Sequence, residues 1–267
     1  MSTMDGRVAL VTGASRGIGN AIARRFAAAG ATVAVTARTI EPGDSRFDGS
    51  ITETVDEITR SGGTAVAVGA DLSRQEDRRR LVEEVTTALG PVDILVNNAA
   101  VTFFEPVASF SERHYDLMFE VQVKAAFELA QLTLPAMLER GSGWILNISS
   151  GAARHPEGPP FREGAGRGTV YGMCKAALER FTTGLAAEAS AGGVAVNVLS
   201  PSGIVATPGV VHHRLIPPGA EDQAEPVEVI AEAAHALCTG SPDGLTGRIA
   251  YSATLLEELG LVASPLP

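Results

Sequence analysis

Short apolar runs alternate with longer helical segments along the whole chain, and this alternation restricts the fold more than any other feature of the sequence. Each apolar run predicts a buried strand, since it is short, β-rich and bounded by turn residues. The predicted strands lie at residues 8–11, 32–36, 65–68, 92–96, 144–148, 194–199 and 248–251. The main predicted helices lie at residues 51–60, 74–89, 111–138, 169–189 and 227–237, after a first helix that ends near residue 29. The alternation predicts a Rossmann-like α/β fold in which helices cover both faces of a single doubly wound parallel sheet of about seven strands.

The whole chain, residues 1–267, is predicted to form one domain because it contains no internal repeat, low-complexity block or linker. Its apolar content of 45% and charged content of 19% are typical of globular proteins. No apolar run approaches ~18 residues and the N-terminus lacks a secretory pattern, so we expect neither a membrane span nor secretion. Cys174 and Cys238 make no disulfide framework, and a cytoplasmic location is the simplest expectation.

The net charge of −10 disfavours a nucleic-acid partner. One basic triplet occurs at residues 78–80, but acidic residues surround it in the predicted helix. A solvated helix face therefore explains the triplet better than a nucleic-acid contact.

The turn after the first strand reads Thr-Gly-Ala-Ser-Arg-Gly-Ile-Gly at residues 12–19. It follows a strand and opens a helix, which is the context of a nucleotide phosphate site. Glycines let the backbone approach a pyrophosphate, and the helix N-terminus offers N–H donors with a partial positive charge. The spacing of Gly13, Gly17 and Gly19 differs from the common Gly-x-Gly-x-x-Gly pattern, and a plain glycine turn is the alternative.

The end of the second strand indicates which dinucleotide binds. An acidic residue there would bind the ribose 2′-hydroxyl of NAD(H), but the sequence reads Thr36-Ala37-Arg38. Arg38 and Arg16, which lies in the glycine turn, could together clamp a 2′-phosphate. NADP(H) is therefore predicted in preference to NAD(H), and the alternative is that both arginines are merely solvated.

Tyr171 and Lys175 lie four positions apart in a predicted helix, so they share one helix face. Neither a free phenol nor a free lysine titrates near neutral pH, with pKa values near ~10 and ~10.4. A cation held beside the phenol favours the phenolate, so Tyr171 could exchange a proton with a substrate. The pair alone is weak evidence, since an exposed tyrosine beside a solvated lysine is the common case.

These motifs, taken together and in this order, resemble the classical short-chain dehydrogenases/reductases along nearly the whole chain. The matching segments are residues 12–19, 71–72, 97–100, 147–150, 171–175 and 201–207. The resemblance implies cofactor contacts from Gly13, Ser15, Arg16, Gly17, Ile18, Gly19, Arg38, Asp71, Leu72, Asn98, Ala99, Tyr171, Lys175, Pro201, Gly203, Val205 and Thr207. It also implies an oxidoreductase that interconverts a small-molecule ketone and a secondary alcohol, and that assembles as a homodimer or homotetramer.

In the mechanism that the resemblance implies, Tyr171 exchanges a proton with the carbonyl or alcohol oxygen of the substrate. Lys175 lowers the pKa of Tyr171 and hydrogen-bonds the nicotinamide ribose. Ser150 positions the substrate oxygen, and we choose it over Ser149 because the second serine usually serves in this family. A lyase or epimerase, and a nucleotide-binding sensor or structural protein without turnover, are the alternatives.

The sequence departs from the family pattern at three places. Gln122 occupies the position of an Asn that often completes a proton relay through a bound water, so Gln122 is a catalytic candidate with altered geometry. Residues 154–168, rich in Pro and Gly, predict an inserted loop at the active-site mouth. The last strand is not followed by the Asp-Gly-Gly that is frequent in the family, so the conformation of the final turn is not predicted.

Residues 208–226, which include His212 and His213, are predicted to form a mobile substrate lid. The histidines fit no zinc spacing, so no metal site is predicted. Three aromatic side chains are predicted either to line an apolar pocket or to pack elsewhere, namely Phe103, Phe104 and Phe161.

Overall fold

The computed structural model describes residues 3–161, 166, 168–216, 219 and 221–267. The strands in this part of the chain are β1 (Val8–Thr12), β2 (Thr32–Ala37), β3 (Thr64–Gly69), β4 (Ile94–Asn97), β5 (Gly143–Ile148), β6 (Val194–Ser200) and β7 (Ile249–Tyr251). They form one parallel sheet in the order β3-β2-β1-β4-β5-β6-β7. The predicted doubly wound α/β fold is confirmed, and each strand lies within two residues of its expected bounds.

Helices connect successive strands and cover both faces of the sheet. The α-helices of the described residues are α1 (Gly17–Ala28), α2 (Ile51–Arg60), α3 (Gln75–Leu89), α4 (Glu112–Phe119), α5 (Ala125–Arg140), α6 (Thr169–Ala189), α7 (Pro208–His212), α8 (Val227–Thr239) and α9 (Ser252–Leu259). The short helices α7 and α9 were not predicted, because five and eight residues are too few for a clear helical period.

The prediction of one uninterrupted α-helix over residues 111–138 was wrong in its middle. A π-helical turn, Glu120–Lys124, lies between α4 and α5. Such a turn widens the helical repeat by one residue, which changes the direction in which its side chains point, and π turns are frequent at functional sites. Gln122 is the central residue of this turn.

Alternate side chains of β1 pack on opposite faces of the sheet, as the two-residue strand period requires. Ala9 and Val11 belong to the apolar cluster beneath α1 and α8, which also contains Phe26. Leu10 belongs to the cluster on the other face, with Leu129 of α5. Because both faces are covered, β1 is buried along its whole length.

The chain order of the strands reverses beside β1, which pairs with β2 on one side and with β4 on the other. In open α/β sheets, helices diverge at such a point and leave a crevice outside the carboxyl ends of the strands. The glycine turn at residues 12–19 and the Asn-Asn segment at 97–98 follow these two strands and therefore meet at the crevice.

Two predicted segments are only partly described. Residues 162–165 and 167 of the predicted inserted loop (154–168), and residues 217, 218 and 220 of the predicted lid (208–226), lie outside the described residues. The described part of the lid segment contains α7 and a short 3-10 helix, Glu221–Gln223.

Candidate active site

A cleft of about 1100 Å³ opens at the carboxyl ends of the central strands. The predicted site residues that line it are Gly13, Ser15, Arg16, Gly17, Ile18, Arg38, Asp71, Leu72, Asn98, Ala99, Ser150, Tyr171, Lys175, Pro201, Gly203, Val205 and Thr207. Gly19 and Gln122 do not line the cleft; both lie beneath its wall. The structure thus brings together residues from seven separate segments of the sequence at one cavity.

The glycine turn leaves no room for a side chain at Gly13 or Gly19. Gly13 has a φ of +65°, and a Cβ atom on it would lie 2.8 Å from the Cα atom of Ala99. A Cβ atom on Gly19 would lie 2.4 Å from the carbonyl oxygen of Gly13, so α1 can begin directly against the turn only with glycine there. Asn98 fixes the turn, because its Nδ2 donates to the carbonyl oxygens of Thr12 at 2.9 Å and of Gly13 at 3.1 Å.

The two arginines of the predicted 2′-phosphate site both line the cleft but differ in their contacts. The Nη2 atom of Arg16 donates to Thr39 Oγ1 at 3.0 Å and to the carbonyl oxygen of Gly49 at 2.8 Å. Its Nε atom is buried and has no hydrogen-bond partner within the described ranges. No hydrogen bond or ion pair within that same part of the chain engages the Arg38 side chain.

The loop between β2 and α2 adds cleft residues that sequence reasoning missed. Ser45, Arg46 and Phe47 line the cleft beside Arg16. The Phe47 ring meets the ring of His212 of α7 edge to face, with centroids 5.2 Å apart, so this loop reaches across the cleft to the lid segment. The only signal in the sequence was the length of the Pro- and Gly-containing loop, which does not specify a contact.

Lys175 lies on α6 at the base of the cleft and is only 3% exposed. Its Nζ atom donates to the carbonyl oxygen of Ile148 at the end of β5, at 2.9 Å. Burial lowers the pKa of Lys175 from 10.5 to about 8, because desolvation disfavours the charged form. At pH 7 the ammonium group is therefore still mostly protonated.

Tyr171 lies one helical turn before Lys175, and the Lys175 Nζ atom is 5.6 Å from the centroid of the tyrosine ring. Burial raises the pKa of the Tyr171 phenol above its usual value, while a hydrogen bond with the Ser150 hydroxyl acts in the opposite direction. The net lowering of the Tyr171 pKa that the sequence predicted is therefore not found.

The two serines after β5 have different surroundings. Ser149 also lines the cleft, but its hydroxyl is buried and already donates to Oε1 of Glu179 at 2.7 Å. The hydroxyl of Ser150 lines the cleft, interacts with Tyr171, and accepts a hydrogen bond from the N–H group of Ala152 at 3.2 Å. This geometry favours Ser150 over Ser149 for a contact with substrate.

Gln122 is 2% exposed and reaches from the π turn toward the underside of the site. Its Nε2 atom donates to the carbonyl oxygen of Val101 at 2.8 Å. Its Oε1 atom is buried and has no hydrogen-bond partner among the described residues. A small cavity of about 10 Å³ lies against Gln122, Lys175 and Asn97, which is roughly the space that one water molecule needs.

Buried polar side chains hold α6 in register with the sheet. Asn97 of β4 donates from Nδ2 to Oδ1 of Asn147 on β5 at 2.8 Å, and Asn147 donates from its own Nδ2 to Oγ1 of Thr182 at 2.8 Å. Each such bond contributes about 1 kcal/mol when satisfied and costs more when one partner is lost. The motifs at 97–100 and 147–150 therefore also position the helix that carries Tyr171.

The solvated face predicted for residues 78–80 is wrong for Arg78, which is fully buried. Its guanidinium donates to Glu128 at 2.6 Å, to Glu120 at 2.8 Å and to the carbonyl oxygen of Leu72. The two acidic partners come from α5 and the π turn, far along the sequence, so the pattern within α3 could not show them. Arg78 thus supports Leu72 from below the cleft.

The end of the cleft beyond Tyr171 is mainly apolar and aromatic. The Phe104 ring lies edge to face against Tyr171 at 5.8 Å and against His213 at 5.0 Å between centroids. Phe103 also lines the cleft, whereas Phe161 is 63% exposed and does not. The pocket prediction therefore holds for Phe103 and Phe104 only.

Within the described residues, no group of three or more His, Cys, Asp and Glu side chains is arranged to hold a metal ion. In the same part of the chain, every helix is too short or too polar to cross a lipid bilayer.

Known proteins are similar to this chain over most of its length. The family model described as short chain dehydrogenase matches residues 7–214. A ketoacyl reductase of Nostoc sp. is 33% identical over 218 residues, which cover 82% of this chain and 70% of the relative.

Solved structures extend the likeness over nearly the full chain. A metagenomic short-chain oxidoreductase in complex with NADP superposes with a TM-score of 0.76 at 30% identity, covering 94% of this chain and 99% of its own. A 3-oxoacyl-(acyl-carrier-protein) reductase from Agrobacterium tumefaciens C58 with NADP bound gives a TM-score of 0.79 at 29% identity, covering 93% of both chains.

Proposed function

Because this chain belongs to the short-chain dehydrogenase family and is an oxidoreductase, we propose that it uses NADP(H) to interconvert a ketone and a secondary alcohol. The observation that carries this proposal is the grouping of Ser150, Tyr171 and Lys175 on one wall of the cleft that begins at the glycine turn. Family membership alone does not decide chemistry, which depends on the contacts of these residues.

The cleft fits a dinucleotide. A Cβ atom would lie 2.8 Å from Ala99 Cα at Gly13 and 3.1 Å from Thr207 Cγ2 at Gly17, so these glycines let the turn pack tightly at the start of α1. The backbone N–H groups at that helix N-terminus suit a pyrophosphate. Asp71 and Leu72 line the cleft where the adenine would lie, and the loop from Pro201 lines it toward the nicotinamide. When bound, the nicotinamide supplies or accepts the hydride.

The preference for NADP(H) rests on charge at the adenosine end. Arg38 ends β2 without a partner within the described ranges, and Arg16 lies across the same part of the cleft. The pKa of Arg16 is lowered mainly by burial; the charge of Arg38 lowers it further, whereas Asp48 acts in the opposite direction, so the two arginines repel each other. A 2′-phosphate would relieve that repulsion and bind both side chains. The NADP found in two similar structures supports the same preference.

Tyr171 is proposed as the proton donor to the carbonyl oxygen in reduction, and as the acceptor in oxidation. Its raised pKa keeps the phenol protonated at neutral pH, which suits a donor. Ser150 hydrogen-bonds the same phenol and is thus placed to hold the substrate oxygen beside it. The protonated Lys175, one turn away, stabilises the phenolate that forms when Tyr171 gives up its proton.

Gln122 is proposed to connect Lys175 to a buried water. The unpaired Oε1 atom of Gln122 needs a donor, and the small cavity beside it has room for one water molecule that also touches the surroundings of Lys175. Such a water would return a proton to Lys175 and Tyr171 after each reduction. The other end of the Gln122 amide is held by its hydrogen bond from Nε2 to the carbonyl oxygen of Val101.

A nucleotide-binding sensor without turnover is the second candidate. It is favoured by a single observation, namely that Gln122 occupies the position where the family pattern often has the Asn of the relay.

We also propose a homodimer or homotetramer. The outer faces of α5 and α6 carry apolar side chains, of which Phe127 is 48% exposed and packs edge to face on Phe181 at 5.8 Å. Exposed aromatic side chains on adjacent helices are typical of subunit interfaces.

The test of the proposed function is the replacement Tyr171→Phe, which removes only the proton-bearing oxygen. We expect ketone reduction with NADPH to fall by at least ~100-fold while the Kd for NADPH stays within about twofold of wild type. Fluorescence titration gives the Kd, and NADPH oxidation gives the rate. Retained turnover would show that Tyr171 is not the proton donor.

A further inference from the structure

A polar pair lies beside the aromatic end of the cleft beyond Tyr171, where His212 and Arg46 also line the cleft. Oγ1 of Thr102 and Nε2 of His213 lie 3.3 Å apart, a long contact for a hydrogen bond. Both residues line the cleft and both are only half buried. Thr102 follows β4, whereas His213 follows α7, so the pair joins the two sides of the cleft.

The Phe104 ring defines where the Thr102–His213 pair lies relative to the phenol of Tyr171. Phe104 lies between Tyr171 and His213 and contacts both edge to face, with centroid distances of 5.8 and 5.0 Å. A ligand whose carbonyl oxygen lies at Tyr171 can therefore pass along Phe104 and reach His213 with its far end. Phe103 adds a second aromatic surface to this path.

The imidazole of His213 can offer both a donor and an acceptor. Burial lowers its pKa, and the neighbouring charges of His212 and Arg46 lower it further, so the ring is neutral at pH 7. Thr102 engages Nε2, and no hydrogen bond within the described ranges engages Nδ1. Aromatic walls beside a neutral Thr-His pair are suited to a flat, mainly apolar molecule that carries a hydrogen-bonding group at its far end.

We propose that Thr102 and His213 bind a second oxygen of the substrate, and that the substrates are aromatic ketones that carry a hydroxyl or a second carbonyl group remote from the reacting carbonyl. This inference rests on the proposed function and adds the substrate class to it. A substrate without the remote oxygen would leave the polar pair facing an apolar group, so the site would discriminate against it.

The test compares α-tetralone with its ring-hydroxylated and ring-methylated isomers as substrates for NADPH-dependent reduction. We expect wild type to prefer at least one hydroxylated isomer over the methylated isomer of the same position by about tenfold or more in kcat/KM. His213→Phe keeps a ring against Phe104 but cannot hydrogen-bond, and it should bring that ratio close to one. Thr102→Val, which keeps the side-chain shape, should reduce the ratio several-fold.

The matched control is His155→Phe, which changes an exposed histidine that does not line the cleft and should leave the ratio unchanged. The ratio between two substrates is unaffected by a general loss of folded enzyme, so it reports specificity alone. Equal rates for all isomers in wild type, or an unchanged ratio in His213→Phe, would overturn the inference. Reduction of aliphatic ketones without reduction of any tetralone would overturn it but leave the proposed function intact, whereas inactivity with every ketone would overturn both.

Discussion

Replacing the buried Lys175 by methionine should stabilise the fold while removing activity. The pKa of Lys175 falls from an ordinary value of 10.5 to about 8 in the folded chain, and at roughly 1.4 kcal/mol per unit this shift costs on the order of 3 kcal/mol at pH 7. Met fills nearly the same volume without a charge. Loss of the hydrogen bond to the carbonyl oxygen of Ile148 offsets about 1 kcal/mol of this gain. We therefore expect the free energy of unfolding to rise by ~2 kcal/mol at pH 7.

The gain should depend on pH with a defined sign. The folded-state pKa lies below the unfolded one, so the unfolded chain binds more protons between pH 8 and 10.5 and the stability of wild type rises across that window. At pH 10 the penalty falls to about 1 kcal/mol, and Lys175→Met should then be about as stable as wild type.

Guanidinium chloride unfolding at pH 7 and pH 10 measures both values. Lys124 is the only other lysine in the chain and is exposed, so Lys124→Met is a matched control that should change stability by less than about 0.5 kcal/mol at either pH. With two lysines, ¹³C-labelled lysine also gives two NMR signals, and the one lost in Lys175→Met reports the pKa directly. A Lys175→Met variant that is less stable than wild type at pH 7, or a difference that does not shrink at pH 10, would refute the reasoning.

Three further replacements test separate parts of the site. Arg38→Asp should shift the ratio of NADPH to NADH affinity toward NADH by about tenfold or more. The replacement removes a charged hydrogen bond to the 2′-phosphate and adds an acid that can bind the 2′-hydroxyl of NADH. A constant ratio would argue against the 2′-phosphate site. Gln122→Ala should lower kcat by about tenfold or more with little change in the Kd for NADPH, and Gln122→Asn should retain more activity. Equal rates for wild type and both variants would exclude a relay through this residue. Gly19→Ala would place a Cβ atom 2.4 Å from the Gly13 carbonyl oxygen. This clash should weaken NADPH binding, measured by fluorescence titration, by about 1–3 kcal/mol. Unchanged affinity would show that the turn can shift.

The regular part of the fold was predictable because its signal is local. The strands β1 and β6 are mainly apolar and buried along their whole length, since the sheet is covered on both faces, and a parallel sheet leaves that mark in the sequence itself. The glycine turn was predictable for the same reason, because the positive φ of Gly13 and the close contact of Gly19 leave no other residue type acceptable.

The features that sequence reasoning missed depend on contacts between distant segments. Arg78 looked solvated because its acidic neighbours in α3 are close in sequence, but its partners Glu120 and Glu128 lie on the π turn and on α5. The contact between Phe47 and His212 joins two loops, and loops have no periodicity from which a position could be predicted. The π turn at Gln122 likewise left no mark, since one added residue does not disturb an apolar pattern enough to be recognised.

The pKa of Tyr171 shows a further limit of motif reasoning. The spacing of Tyr171 and Lys175 predicts a cation beside a phenol, but it contains no information about how deeply either group is buried. In the structure, burial has the larger effect on Tyr171, and the Nζ atom of Lys175 is directed to Ile148. The sequence identified which groups meet, whereas their protonation depends on the surrounding packing.

Transfer of deuterium from labelled NADPH is the measurement that tests the central claim most directly. The wild-type enzyme would be incubated with (4,4-²H₂)-NADPH and a mixed panel of ketones, then with the matching labelled NADH, and the alcohols analysed by mass spectrometry. The proposed function predicts at least one secondary alcohol with a single deuterium on its carbinol carbon, formed faster from NADPH than from NADH. Tight NADPH binding without deuterium in any product would contradict the account and favour the sensor.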